Sequence, residues 1–449
     1  MVQGGRAHRA VILCIATVIL ANGALLLAGC ALLQTPTPRP TPVVSPETPV
    51  PSRTTASTVA ATVSTPIDPS APVTLTLWLP PEMALGDEPP AEAVSRLNQT
   101  FMAENPQVKL DVIPKAAYGP GGLVHLLLAT QPVVPARMPD IVVFDTSELH
   151  RLVDSDILIP LDELLPEAVW DDLFPFALEA VTVSEDRLAV PFGANIVFLA
   201  YNSAMVEAPP RTWDEVIAAR ATYLFPAGQG DGSAADAFLL LYFAQGGSLE
   251  GSERPELNTR LVANVLRKYL AAMDNGVVPG MVRTMGTLED CWALYLAGEA
   301  GMSLAGSLQY QRDRAILKRT RYAQVPTIDG KPSTLARSWA WGVVAQDPFR
   351  QEIAGRYVAS AIGPKHLPAW SSASFHLPTR RSILRLAIED REYRAFLYEQ
   401  LQNAHPYPNL RGYSHIQEAV SRAIQDVLDG VATPERAAIT AAATILPLR

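Results

Sequence analysis

The chain has 449 residues, of which 48% are hydrophobic and 18% charged, and its formal net charge is -9. That length exceeds one ordinary hydrophobic core and points to two domains. An acidic balance without a lysine or arginine cluster excludes a nucleic-acid surface. Of the three cysteines, Cys14, Cys30 and Cys291, only the last lies in the body of the chain, so no internal disulfide is available and the fold depends on its core.

At the N-terminus, Arg6, His8 and Arg9 precede an apolar run from Ala10 to Leu27 that stops at Leu27-Ala28-Gly29-Cys30. A short charged stretch, an apolar stretch and small residues read as a secretory leader rather than structure. The run also approaches the ~20 residues of a membrane span, so an uncleaved anchor is the other reading. Leu-Ala-Gly-Cys resembles the cleavage box of bacterial lipoproteins, in which the cysteine becomes the lipid-modified first residue. The resemblance implies lipidation at Cys30 and an anchored chain at the outer face of the cytoplasmic membrane. Residues 30–72 are then dominated by Pro, Thr, Ser, Val and Ala, as in Thr35-Pro36-Thr37-Pro38. Such a run buries nothing and favours extended, semi-rigid backbone, a stalk that holds a domain off the membrane.

Val73 to Leu79 alternates and reads as a strand. Ala91 to Glu104 carries Val94, Leu97, Phe101 and Met102 at helical spacing, and Asn105-Pro106 stops it. Val108 to Ile113 is a second strand, Leu123 to Ala129 a short helix, and Ile141 to Phe144 a continuous apolar run of the kind buried on both faces of a parallel sheet. This alternation is that of an α/β domain. Further on, Ala237–Ala244, Leu261–Met273, Leu288–Leu296 and Ile353–Ile362 read as helices, and Ala300–Leu304 and Trp339–Ala345 as strands. The C-terminal part, from about Ser382 to Ile445, is mostly helical. Cys291 lies in the helical run Leu288–Leu296, where a buried small apolar role outweighs a nucleophilic one.

Several ordered fragments carry a likeness to a known family. Pro139-Asp140-Ile141-Val142 is followed by Ile157-Leu158-Ile159-Pro160-Leu161-Asp162, then by Arg187-Leu188-Ala189-Val190-Pro191 and Leu199-Ala200-Tyr201-Asn202. Pro210 to Glu215, Gln245-Gly246-Gly247 and Leu296 to Met302 continue the series. Together they resemble the extracellular solute-binding proteins of family 1, the group of the maltose-binding proteins. The resemblance implies an α/β, two-lobed periplasmic-binding-protein-like fold of type II, with hinge crossovers near Gly193–Ile196 and Arg337–Trp341. It implies lobe one from residues 73–194 and 339–381, and lobe two from 195–338 with the helices of 382–449. It also implies a monomeric receptor that hands a small polar solute, a carbohydrate above all, to the permease subunits of an ATP-binding-cassette importer.

Sugar sites pair aromatic faces with a few placed polar groups in a concave pocket. Phe144 and Asp145 close the third strand, where open α/β sheets bind ligands; the other reading is a core ring and a helix cap. Asn195 sits at the first crossing, where some sugar-binding relatives carry an acidic residue. Asp236 lies at the start of a second-lobe helix, as ligand group or as cap. Ser307 and Tyr310 follow the late strand, and Leu308 stands where the maltose-type pattern has a stacking tryptophan. Trp339 and Trp341 are two apart on a strand and so share a face, as a stacking platform or a buried hinge contact. Ser374 and Phe375 border the cleft.

No other chemistry is spelled out. Gly228-Gln229-Gly230-Asp231-Gly232-Ser233 lacks the third glycine of a dinucleotide fingerprint, and Gly119-Pro120-Gly121-Gly122 lacks the Lys-Ser/Thr of a phosphate loop. The histidines show no i, i+4 zinc pairing, so neither a cofactor nor a metal is called for. A secreted glycosidase with two opposed carboxylates, or the ligand sensor of a membrane kinase, is the alternative to a transport receptor.

Overall fold

The computed structural model describes residues 72–86, 88–249 and 255–445. The leader, Cys30 and the stalk expected up to residue 71 lie outside them. In chain order the first part contains β1 (Val73–Leu79), α1 (Pro81–Ala84), α2 (Pro89–Glu104), β2 (Val108–Pro114), α3 (Leu123–Thr130), β3 (Ile141–Asp145), α4 (Leu149–Val153), α5 (Glu167–Asp171) and α6 (Pro175–Glu179). The hairpin β4 (Thr182–Val183) and β5 (Asp186–Arg187) leads into β6 (Val190–Asn202). Then come α7 (Trp213–Ala219), β7 (Tyr223–Leu224), α8 (Ser233–Ala244), α9 (Thr259–Asp274), α10 (Leu288–Leu296), β8 (Met302–Gly306), α11 (Ser307–Asp313) and β9 (Thr320–Ala323). The last part holds β10 (Thr334–Val343), α12 (Pro348–Ala361), α13 (Leu367–Ser374), β11 (Leu377–Pro378), α14 (Arg381–Ala387), α15 (Arg391–Gln402), β12 (Ala404–Pro406), α16 (Tyr413–Leu428) and α17 (Pro434–Thr444).

The alternation of β1 places Val73, Leu75 and Leu77 in the core while Thr74 is exposed. β1 pairs in parallel with β2 from Val73↔Val108 to Leu79↔Pro114, and in parallel with β3 at Leu77↔Ile141. All five residues of β3 are buried, as a strand covered on both faces requires. The parallel expectation fails on its other edge, however. There β10 runs antiparallel, Trp339 opposite Asp145, and β6 pairs antiparallel with β10 in turn. β10 begins at Thr334, five residues before the sequence reading placed it.

Two lobes arise because β6 is long enough to serve two sheets. Its first half pairs with β10 as far as Ile196, and its second half pairs with β8 from Val197↔Gly306 to Tyr201↔Met302 and with β9 from Leu199↔Ala323 to Asn202↔Thr320. Gly193 lies in this strand because a β-carbon there would sit 2.6 Å from the Trp370 ring. That ring packs on Phe192 at 4.7 Å between centroids, so the close approach of α13 to the strand excludes any side chain. At the edge of the sheet, the Arg350 guanidinium forks onto Asp140 at 2.7 and 2.6 Å, and Asp140 also accepts from the Thr76 amide at 2.7 Å. This two-point pair ties α12 to β1 and β3.

Beyond β6, helices α8, α9, α16 and α17 pack against one another. α9 shows why amphipathic helices fit there: Val262, Val265, Leu266 and Tyr269 face the core at helical spacing while Arg260 and Arg267 remain outside. Cys291 is fully buried on α10, and burial pushes its thiol up to about 12. That is inert behaviour, in line with a core role.

Candidate functional site

A cavity of about 550 Å³ opens where β6 and β10 pass between the lobes. Asn195 and Val197 of β6 and Leu335 and Arg337 of β10 form its floor. The second lobe contributes Asp236, Ala237 and Leu240 from α8, the N-terminal turn of α10 and Leu308, Gln309 and Arg312 from α11. Phe375 and Tyr407 complete it. A smaller cavity of about 390 Å³ adjoins it through Phe375 and is lined by Trp339, Trp370 and Ser374.

Arg337 is the centre of the polar floor. Its Nε donates to Asp145 Oδ2 at 2.6 Å, and its guanidinium carbon lies 5.2 Å from the Tyr118 ring centre and 4.9 Å from that of Tyr407. A cation between two ring faces is held by their quadrupoles. The Asp145 side chain is only 2% exposed, but that of Arg337 is 43% exposed. Asp145 also accepts from the Tyr118 hydroxyl at 2.7 Å and the Ser147 amide at 2.9 Å. Guanidinium offers five N–H donors, and the remaining ones meet no protein acceptor among the described residues. They face the cleft.

Across the cleft, Asp236 Oδ1 accepts from Tyr413 at 2.8 Å and Gln417 at 3.0 Å, and Oδ2 accepts from Tyr407 at 3.0 Å. Burial pushes the Asp236 carboxyl up to about 6, against the opposing pull of the hydrogen bonds from Tyr413, Gln417 and Tyr407. Tyr407 thus touches both Asp236 and Arg337, and a continuous chain of contacts runs Asp145, Arg337, Tyr407, Asp236 from the first sheet to the second lobe. Two backbone close approaches shape the rim: a β-carbon on Gly286 would meet Gln229 O at 2.1 Å, and one on Gly230 would meet Gly286 O at 2.4 Å. Glycine there lets the loop carrying Asp231 lie directly on the turn that precedes Thr287 and Leu288.

The candidate residues divide accordingly. Asn195, Asp236 and Phe375 line the main cavity, and Trp339, Ser374 and Phe375 the adjoining one. Asp145 sits behind Arg337 as its counterion. Ser307 is fully buried; its hydroxyl donates to Asn195 Oδ1 at 2.9 Å and accepts from the Ile196 amide at 3.2 Å. With the Leu308 amide also donating to Asn195 at 3.1 Å, this triad locks β6 to the start of α11 instead of presenting a free hydroxyl. Three further candidates lie outside both cavities. Phe144 is 2% exposed in the cluster beneath the first sheet, because the pleat sends it away from the face of Asp145. Tyr310 is 5% exposed and packs on Phe198, Tyr322 and Tyr393. Trp341 shares a face with Trp339 but is 2% exposed against Phe192 and Tyr357; Trp339, opposite Asp145 at the end of β3, lines the adjoining cavity.

Arg337, Tyr118, Tyr407, Tyr413 and Gln417 were not singled out from the sequence. Tyr118 before Gly119-Pro120-Gly121-Gly122 and Tyr407 between Pro406 and Pro408 carried one usable sign, an aromatic residue in a segment that can build no helix. Phe375 adopts φ 61°, and the carbonyl of this residue accepts from Gln311 Nε2 at 2.9 Å. A bulky residue in the left-handed region costs about 1–2 kcal/mol. Phe375→Gly is therefore expected to raise stability by about 1 kcal/mol in chemical denaturation and to weaken ligand binding about tenfold by removing the ring. Unchanged affinity in a titration of the variant would remove Phe375 from the site.

A family model described as "Bacterial extracellular solute-binding protein" matches residues 97–392, more than half of the chain. The chain belongs to that family. It is accordingly an extracytoplasmic solute-binding protein and not an enzyme. A curated maltotriose-binding protein of Pyrococcus abyssi (strain GE5 / Orsay) is 27% identical over 140 residues, which is 28% of this chain and 31% of that relative. The match thus spans less than a third of the relative's length. Among solved structures, the cyclic alpha-maltosyl-1,6-maltose binding protein of Arthrobacter globiformis aligns with TM-score 0.71 and 22% identity, covering 84% of this chain and 98% of that one. The sugar-binding protein MalE of Xanthomonas citri aligns with TM-score 0.70 and 18% identity, covering 83% and 96%. These structural likenesses establish the two-lobed type II fold of this solute-binding protein.

Proposed function

We propose that this solute-binding protein captures a carbohydrate in the cleft floored by Arg337 and delivers it, as a lipid-anchored monomer, to the permease of an ATP-binding-cassette importer. The observation that carries the reading is the cleft's make-up: the free guanidinium donors of Arg337 and the Asp236 carboxylate lie among Tyr118, Tyr407, Phe375 and Trp339. Hydroxyls pair with such donors and acceptors, and the C–H faces of sugar rings pair with the aromatic rings. The relatives named for maltotriose and for cyclic maltosyl-maltose support an α-glucan. Leu304, Leu308 and Leu335 in the cavity lining supply aliphatic rather than indole contact, which favours a ligand with an apolar edge over a plain linear maltodextrin. The proposed lobes, residues 73–194 with 339–381 and 195–338 with 382–449, close by hinge motion where β6 and β10 cross.

A ligand of the native state raises its stability by about 2.7 kcal/mol at a hundredfold excess over Kd. Thermal melting against linear and cyclic α-glucans, other sugars, polyols, amino acids and peptides is expected to show such a shift for one sugar class. No shift with any sugar, or a shift with peptides alone, rejects the carbohydrate reading.

A further inference from the structure

Away from the cleft, a cavity of about 600 Å³ opens beside α14 and α15, sharing no lining residue with the cleft. Arg381, Arg385, Arg391 and Arg394 surround it together with Tyr398, and Asp172 is its one carboxylate. Asp172 is already engaged: it accepts from Arg380 Nε at 2.9 Å and from the Ser382 amide at 2.9 Å. None of the four lining arginines has an ion pair among the described residues. Arg381 donates to the Asp171 carbonyl at 2.8 Å and lies 5.5 Å from the Phe174 ring centre, Arg394 donates to the Ile388 carbonyl at 2.7 Å, and Arg385 and Arg391 are exposed.

This corrects the reading that the chain has no basic cluster. In sequence the arginines are interrupted by Glu389, Asp390 and Glu392, which mask them. In the fold, Asp390 caps α15, accepting from the Tyr393 amide at 3.0 Å, and pairs with Arg314 at 2.5 Å. Neither glutamate lines the cavity. The helix turns therefore sort the charges, and four guanidinium groups converge on one depression in a chain of net charge -9. Like charges so placed repel one another unless an anion joins them. Planar guanidinium forks match the oxygens of phosphate in two-point hydrogen bonds. Tyr398, edge-on to Phe174 at 5.4 Å, adds an aromatic wall beside the charges, and the volume exceeds that of a bare phosphate.

We propose that this cavity is a binding site for a phosphate-bearing anion, separate from the sugar cleft. Phosphate esters in solution and phospholipid headgroups share this chemistry, and the anchor expected at Cys30 would keep a membrane within reach. The test uses the full chain carrying Cys30→Ser, with and without Arg385→Ala/Arg391→Ala, and Arg436→Ala as an exposed control elsewhere. Each is titrated with inorganic pyrophosphate by calorimetry and sedimented with phosphatidylglycerol or phosphatidylcholine vesicles; melting curves check that the variants are folded. Saturable pyrophosphate binding that weakens at least about tenfold in the double variant supports a soluble ligand. Retention on phosphatidylglycerol but not phosphatidylcholine, lost in the same variant, supports a headgroup. Binding of neither probe, equal binding by the double variant, or an equal loss in Arg436→Ala overturns the proposal.

Discussion

Arg337→Ala is expected to lower ligand affinity about 100-fold and stability by about 2–3 kcal/mol. The first figure follows from losing charged hydrogen bonds of about 1.5–3 kcal/mol, at a factor of ten per 1.4 kcal/mol. The second follows from Asp145: its side chain is 2% exposed, and removing the partner leaves a buried carboxylate with, among the described residues, only Tyr118 and the Ser147 amide as donors. The two effects are separable. In Asp145→Asn/Arg337→Ala the uncompensated charge is gone, so stability should recover, whereas the donors facing the cleft are still missing and affinity should not. Denaturant unfolding and calorimetric titration of the single and double variants read the two quantities independently. If affinity recovers along with stability, Arg337 holds the floor together without touching the ligand.

Asp236 predicts a pH dependence. Burial raises its carboxyl to about 6 in the folded protein from an ordinary 3.8. Below about pH 3.8 both folded and unfolded chains carry the proton. Between there and about 6 only the folded chain does, so this group's contribution to stability falls as pH rises and is lost above the folded value. The integrated effect is about 3 kcal/mol at the standard conversion, and Asp236→Asn should flatten that slope. Ligand binding runs the other way. Among the described residues Oδ2 accepts only from Tyr407, which leaves acceptor capacity for ligand hydroxyls in the ionised form. Affinity should hold above about pH 6 and fall below it by up to tenfold per unit. Titrations from pH 4.5 to 8 in the wild type and in Asp236→Asn check this; a wild-type affinity flat across that range places the ligand elsewhere.

Local periodicity made most of the fold legible. The alternation of Val73 to Leu79, the all-apolar Ile141 to Phe144 and the amphipathic Leu261 to Met273 each report how a short segment meets the core, and each element formed within a few residues of expectation. Boundaries moved where pattern was weak: α8 starts at Ser233, four residues early, because its first turn is small and polar. The long β6 was hidden because a continuous apolar run reports burial but not which sheets bury it. Asp236 was singled out as a polar residue at the start of a second-lobe helix, and Phe375 as an aromatic on the loop before Pro378; tertiary packing then sets what each one meets.

What only the tertiary structure decided is who meets whom. Arg337 and Asp145 are 192 residues apart, and Asp236 lies 171, 177 and 181 residues from Tyr407, Tyr413 and Gln417. Helix and strand periods describe neighbours within a turn or a pleat; they say nothing about the antiparallel entry of β10 between β3 and β6, which brings Arg337 to Asp145. The same limit explains Phe144, Tyr310 and Trp341. Their type and spacing suit a ligand platform, but a ring is a platform only where a sheet ends or a lobe parts, and that edge is set by pairing between distant strands.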